Sequence, residues 1–151
     1  MADTARPQEP MLGSTNLDLA GGVVAVDFDG WSDQLHQEFR SNAFNYAVGG
    51  RLLFENQRVK VWEIRLAPGE RLPAHRHVLD YFWTAVNAGS SRQHTDDGTT
   101  REVAYEAGET RFFEFGPGEY LLHDLENVGV TDLAFTTVEF HRDRDDPGPR
   151  Q

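Results

Sequence analysis

The sequence contains no cysteine, which excludes structural disulfides, thiolate metal sites, iron–sulfur clusters and a cysteine nucleophile at once. Any metal ligand must be nitrogen or oxygen. Long hydrophobic runs are also missing: the longest nonpolar stretch, Leu19 to Val26, falls well short of the roughly 20 residues that a membrane span requires. Residues Met1 to Pro10 hold no apolar signal-peptide core. Positive charge is scarce, with 14 Lys+Arg against 25 Asp+Glu and a formal net charge of −11, and it is scattered along the chain. Neither nucleic acid nor an anionic membrane surface is then an expected partner. These absences predict a soluble, cytoplasmic protein whose partner is a small molecule.

What is present is enough for one domain of 151 residues, a length at which about two thirds of the unfolded surface is buried without staples. Residues 1–16 are proline-rich and lack apolar periodicity, and the charged, proline-rich stretch His141 to Gln151 resembles them, so both read as flexible tails. Residues 17–48 read as an N-terminal arm with a short helix over Ser32 to Arg40, capped by Ser32 and carrying Leu35 and Phe39 one turn apart. From residue 49 to 140, β-branched and aromatic runs alternate with Gly, Pro and Asp clusters every 8 to 12 residues. Strands are predicted at Arg51–Phe54, Val59–Leu66, Tyr81–Val86, Ser91–Thr95, Thr100–Tyr105, Thr110–Phe115, Tyr120–Leu125 and Leu133–Phe140. Asp97-Gly98 marks the clearest hairpin. The shift from Val59 and Val61 to Trp62, Ile64 and Leu66 predicts a bulge in mid-strand.

His75 and His77 are separated by one residue, so on an extended backbone both imidazoles point to the same face, where they can share one metal ion. The surrounding residues resemble the cupin superfamily. Its first motif, G-x5-H-x-H-x3–4-E-x6-G, is matched by Gly69, His75, His77 and Gly89, and the H-x3-N that ends its second motif by His123 and Asn127. The resemblance spans about Gly49 to Phe140. It implies an all-β, double-stranded β-helix fold, a cupin jelly-roll barrel, with His75, His77 and His123 as joint ligands. The motif's glutamate falls where this chain has Tyr81 and Phe82. Asp80 stands one residue early, where a regular strand aims it at the opposite face, and it reads as a structural carboxylate. The run His75-Arg76-His77 followed by Asp80-Tyr81 is similar to a subgroup of small single-domain cupins related to β-alanine degradation proteins. About four extra residues around Phe115 to Tyr120 point to a reshaped loop before His123.

Neutral imidazoles suit iron, nickel or zinc, with manganese also possible. A three-histidine site leaves the ion's divalent charge uncompensated, which favours a small anionic organic acid or dicarbonyl compound. Tyr81 is expected to fill the glutamate's volume beside the histidines. Phe82 and Phe113 are candidates for the cavity mouth. Arg71 and Arg111 are candidates either for rim salt bridges or for inward cations that hold a substrate carboxylate. His36, His94 and His141 have no motif context and read as surface residues. The resemblance admits dioxygenase, isomerase and lyase chemistry, or a non-catalytic metal-containing module for binding or sensing a small molecule. The apolar arm and Ala43–Val48 suggest a homodimer in which residues 17–48 add a strand across a two-fold axis. The alternative is that the arm folds back on its own barrel.

Overall fold

Alternation of apolar residues, cut to length by glycine turns, produces ten strands and one helix in the computed structural model, which describes residues 17–142. In chain order these are β1 (Gly22–Ala25), α1 (Asp33–Ser41), β2 (Arg51–Glu55), β3 (Val59–Leu66), β4 (Arg71–His77), β5 (Tyr81–Ala85), β6 (Gly89–His94), β7 (Thr100–Tyr105), β8 (Thr110–Phe113), β9 (Leu121–Asn127) and β10 (Leu133–Phe140). They form two five-stranded sheets, ordered β1-β7-β6-β9-β4 and β2-β3-β10-β5-β8. Every pairing is antiparallel. The core lies between the sheets, where Ile64, Leu66, Leu72, Leu125, Leu133 and Phe135 are all buried. This is the jelly-roll barrel that the resemblance implies, in keeping with the strand rhythm.

The helix starts where its capping residue places it: Ser32 Oγ accepts a hydrogen bond from the Leu35 N–H at 3.0 Å. Its buried Phe39 packs against Ala74 and Leu122, on the outer side of β4 and β9. The Asp97-Gly98 hairpin joins β6 to β7. Asp97 Oδ1 accepts from Thr95 Oγ1 and from the Thr99 N–H, and Gly98 takes a φ of +86°. A side chain at Gly98 would also meet Phe28, whose backbone nitrogen would lie 2.7 Å from the added Cβ.

Three expectations need correction. The predicted bulge in β3 is absent, since β3 pairs with β10 without a break from Val59↔Phe140 to Leu66↔Leu133. The irregularity lies on the other flank, in β2, where Leu53 is the extra residue between Leu52↔Trp62 and Phe54↔Val61. The change of phase in β3 reflects instead which side is covered, with Trp62, Ile64 and Leu66 buried and Val59 and Val61 only half-buried. β1 and β4 were not among the predicted strands. β1 pairs with β7 of the same chain, as Gly22↔Glu102 and Val23↔Arg101. Lastly, the fold continues past residue 140: the His141 N–H donates to Arg58 O, and Arg142 donates to the carbonyls of Val78 and Phe115. The tail expected at 1–16, and residues 143–151 of the tail expected at 141–151, lie outside the described residues.

Candidate metal centre

β4 and β9 carry the three histidines, and the register between them decides what points inward. On β9, Leu121, His123 and Leu125 share one face by the two-residue period. Opposite them stand His77, His75 and Leu72, but Pro73 and Ala74 together oppose the single residue Asp124. This bulge reverses the phase of β4. Leu72 points in and Arg71 out before it, while His75 and His77 point in after it.

The backbone polar groups at the bulge are satisfied from α1 and the loop after it. Glu38 Oε2 accepts from the Ala74 N–H at 2.9 Å, and the side-chain amides of Asn42 and Asn45 both donate to Ala74 O at 3.0 Å. Burial alone would raise the Glu38 carboxyl. The hydrogen bonds from Arg71 and Ala74 outweigh it and hold the group below its ordinary value.

The three imidazoles converge inside the barrel. Ring centroids are 4.7 Å apart for His75–His123, 5.1 Å for His75–His77 and 5.3 Å for His77–His123. One nitrogen from each ring lies within 4.8 Å of the other two. A carbonyl oxygen only accepts, so the 2.8 Å contact between His75 Nδ1 and Pro73 O puts the proton on Nδ1 and leaves the Nε2 lone pair free. Gln93 Oε1 does the same for His123 by accepting from its Nδ1. His77 Nδ1 is buried and has no hydrogen-bond partner. Burial lowers the pKa of all three rings, and mutual repulsion pushes His77 and His123 down further. The rings are therefore neutral, in the form that ligates a metal. Two of the three rings thus have the outer nitrogen anchored, the support that metal-binding histidines require, and the third keeps a buried nitrogen without a protein partner. The donor set suits one divalent transition ion.

Tyr81 is 2% exposed and lies flat on His77, with centroids 3.9 Å apart and planes at 13°. Phe113, its cross-strand neighbour, stacks on Tyr81 with centroids 5.1 Å apart. Burial pushes the Tyr81 hydroxyl well above its ordinary value, so it stays protonated. A cavity of about 50 Å³ opens beside the histidines. Its wall includes Tyr81, Phe113, Gln93 and Thr137, and Leu19, Ala20 and Val48 from the N-terminal region close it further. Among the described residues no Asp, Glu, Lys or Arg lines it.

The structure thus brings His75, His77, His123, Tyr81 and Phe113 together, and leaves three other candidates outside. Arg71, turned out by the bulge, donates to Glu38 at 3.0 and 2.9 Å and to the fully buried Asp124 at 2.7 Å. Phe82, next to inward Tyr81, points outward and its ring lies 6.1 Å from that of Phe140. Arg111 shares the strand face of Phe113, but its guanidinium reaches away to Asp18, 3.4 Å from the backbone oxygen. Asp80 is structural, accepting from the Phe115 N–H at 2.8 Å.

The sequence reading missed three participants. Gln93 orients His123 from a polar but buried row of Ser91, Gln93 and Thr95, whose burial the sequence does not mark. His94 is mostly buried rather than on the surface: its Nδ1 meets Asp124 Oδ2 at 2.9 Å, and its N–H donates to Asp124 Oδ1 at 2.7 Å. Glu139, cross-strand from Tyr81, is a buried carboxyl that accepts from Trp62 Nε1 at 2.9 Å. Burial raises its pKa.

No family model matches the chain, and no curated protein matches it. Solved structures do. A cupin domain from Bordetella pertussis Tohama I is 25% identical with a TM-score of 0.54, the match covering 66% of this chain and 97% of that one. An RmlC-like cupin family protein with a double-stranded β-helix fold from Methanocaldococcus jannaschii is 19% identical with a TM-score of 0.49, covering 60% and 76%. A predicted oxalate decarboxylase from Thermotoga maritima is 25% identical with a TM-score of 0.45, covering 60% and 77%. With its two antiparallel five-stranded sheets and three inward histidines, the chain has the double-stranded β-helix fold of cupin domains.

Proposed function

We propose that this chain is a metal-dependent enzyme that holds one divalent transition ion on His75, His77 and His123 and acts on a small, chelating organic acid or dicarbonyl compound. The observation that carries this reading is the preset state of the rings: His75 and His123 are anchored through Nδ1 and have Nε2 free, and His77 keeps an unpartnered buried nitrogen. When bound, such an ion acts as a Lewis acid and leaves coordination positions for substrate.

The chain's own residues set the substrate class. A cavity of about 50 Å³ accommodates only a few water-sized groups, given that each needs roughly 10–15 Å³, so the reacting part of the substrate is small. With no charged side chain in the wall, a substrate anion is held through the ion's charge and not by arginine. Tyr81 and Phe113 present stacked apolar faces that exclude water, and Thr137 offers a hydroxyl. Isomerase and lyase steps need a side chain that moves a proton at the substrate, and the wall supplies only the histidines and protonated tyrosines. Oxidation with dioxygen as co-substrate asks least of these side chains, which ranks a dioxygenase first among the three chemistries.

The same bare wall favours one second reading, a non-catalytic metal-containing module that binds or senses a small molecule. Anaerobic loading with Fe(II), Ni(II), Zn(II) or Mn(II), followed by oxygen uptake with a panel of small acids and diketones, separates the two. Turnover that depends on the metal supports the enzyme. Saturable ligand binding with no consumption of ligand or oxygen under any metal supports the module.

A further inference from the structure

We propose that Glu38 is a positioning residue for His75, acting on the ring through the single peptide unit that joins Pro73 to Ala74. That unit lies in the bulge of β4, and both of its polar atoms are engaged. Its carbonyl oxygen, on Pro73, accepts from His75 Nδ1 at 2.8 Å, and its N–H, on Ala74, donates to Glu38 Oε2 at 2.9 Å. The peptide is trans, so the two bonds leave it in opposite directions, one toward the imidazole inside the barrel and one toward α1 outside it. A metal-binding histidine commonly donates its outer nitrogen directly to a carboxylate. Here one amide group is inserted between the two.

The surroundings of Glu38 keep its carboxylate in this place. Arg71 donates to both of its oxygens, at 3.0 and 2.9 Å, and is itself held by the fully buried Asp124 at 2.7 Å. Burial opposes charge on Glu38, but the hydrogen bonds from Arg71 and Ala74 hold its carboxyl below the ordinary value, so an anion faces the Ala74 N–H at neutral pH. An anion that accepts from a peptide N–H polarises the peptide and makes its carbonyl oxygen a stronger acceptor. The His75 ring is thereby held with Nδ1 protonated, and its free Nε2 becomes the more electron-rich donor. Neither of the other rings is tied to a charge in this way: His123 is anchored by Gln93, a neutral amide, and His77 Nδ1 has no partner. Glu38 therefore sets one of the three donors apart from outside the barrel.

The consequence for metal binding rests on the three-histidine reading, whereas the link from Glu38 to His75 is measurable without metal, so the two can fail separately. Imidazole nitrogen NMR of the full-length, metal-free chain at pH 8 reports which nitrogen of each ring is protonated and how strongly it is hydrogen-bonded. Glu38→Gln, which removes the charge at nearly constant shape, should move the His75 Nδ1 proton upfield and leave that of His123 in place. Glu38→Asp, which keeps the charge but draws it back by one methylene, should move it the same way by less. Ser32→Ala, which weakens the start of α1 but keeps the carboxylate, should move neither. Zinc titration should show an affinity about tenfold lower in Glu38→Gln, the low end of the loss for an outer partner of a metal-binding histidine, and unchanged in Ser32→Ala. A His75 resonance or a zinc affinity that Glu38→Gln leaves as in the parent overturns the proposal. So does an equal displacement in Ser32→Ala, which would assign Glu38 to helix docking alone. A parent that takes up no zinc, with His75 responding as described, supports the link and overturns the metal reading.

Discussion

Tyr81 lies flat against His77, 3.9 Å between ring centroids, at the position where the cupin resemblance places a carboxylate ligand. A neutral slab therefore replaces an anion beside the three imidazoles. Tyr81→Phe keeps the stack and should leave metal affinity within about threefold of the parent, whereas Tyr81→Ala removes a buried ring and should cost about 3–5 kcal/mol of stability. Isothermal titration and thermal unfolding of both variants measure this. A large loss of metal in Tyr81→Phe would show that the hydroxyl is itself a ligand.

Gln93 should matter to the metal more than to the fold. Its Oε1 accepts the His123 Nδ1 proton, and removal of such a partner weakens metal affinity by about 10- to 100-fold. Gln93→Leu is expected to show that loss, and Gln93→Glu, which keeps an acceptor, to show little. If both variants bind metal as the parent does, the ring is oriented by its packing alone.

Asp124 belongs to the frame and not to substrate binding. It is fully buried and gathers Arg71, the His94 ring and the His94 N–H. Asp124→Ala leaves buried donors unpaired and should lower stability by roughly 3–5 kcal/mol. Arg71→Ala should lower the unfolding temperature without changing substrate KM. A KM increase at unchanged stability would return Arg71 to the cavity.

These residues show how far the sequence could be read. His75, His77 and His123 were legible because ligand spacing is a local property that the motif preserves, and α1 was legible because Ser32 and Phe39 sit at fixed helical offsets. Arg71 was open between a salt bridge and an inward cation, and the two-against-one bulge at Pro73 and Ala74, which has no local signature, turns it out to Glu38 and Asp124. Gln93 and His94 depend on which strand neighbours β9, a long-range pairing with no local signature. Glu139 stands next to last in β10, and the indole N–H of its buried partner Trp62 comes from 77 residues away in sequence.

Burial also fixes the pH response. A free histidine titrates near 6.5, and all three rings are lowered from that value. Above it both folded and unfolded chains carry neutral rings. As pH falls below it the unfolded chain takes up protons first, so stability of the metal-free protein declines from about pH 6.5 downward. Glu139 acts in the opposite sense, because a raised carboxyl favours the folded state at low pH. Glu139→Gln removes that contribution. Chemical denaturation of the metal-free Glu139→Gln variant from pH 8 to 5 should show a plateau and then a fall below about 6.5. Stability that rises through that interval would mean the rings are charged in the fold.

The central claim is that one ion sits on three histidines. Anaerobic metal analysis after loading and desalting, run on the parent and on the His75→Ala, His123→Ala double variant, tests it most directly. The account predicts about one divalent ion per chain in the parent and almost none in the double variant, with both chains folded by circular dichroism. Equal occupancy in the two proteins would contradict it.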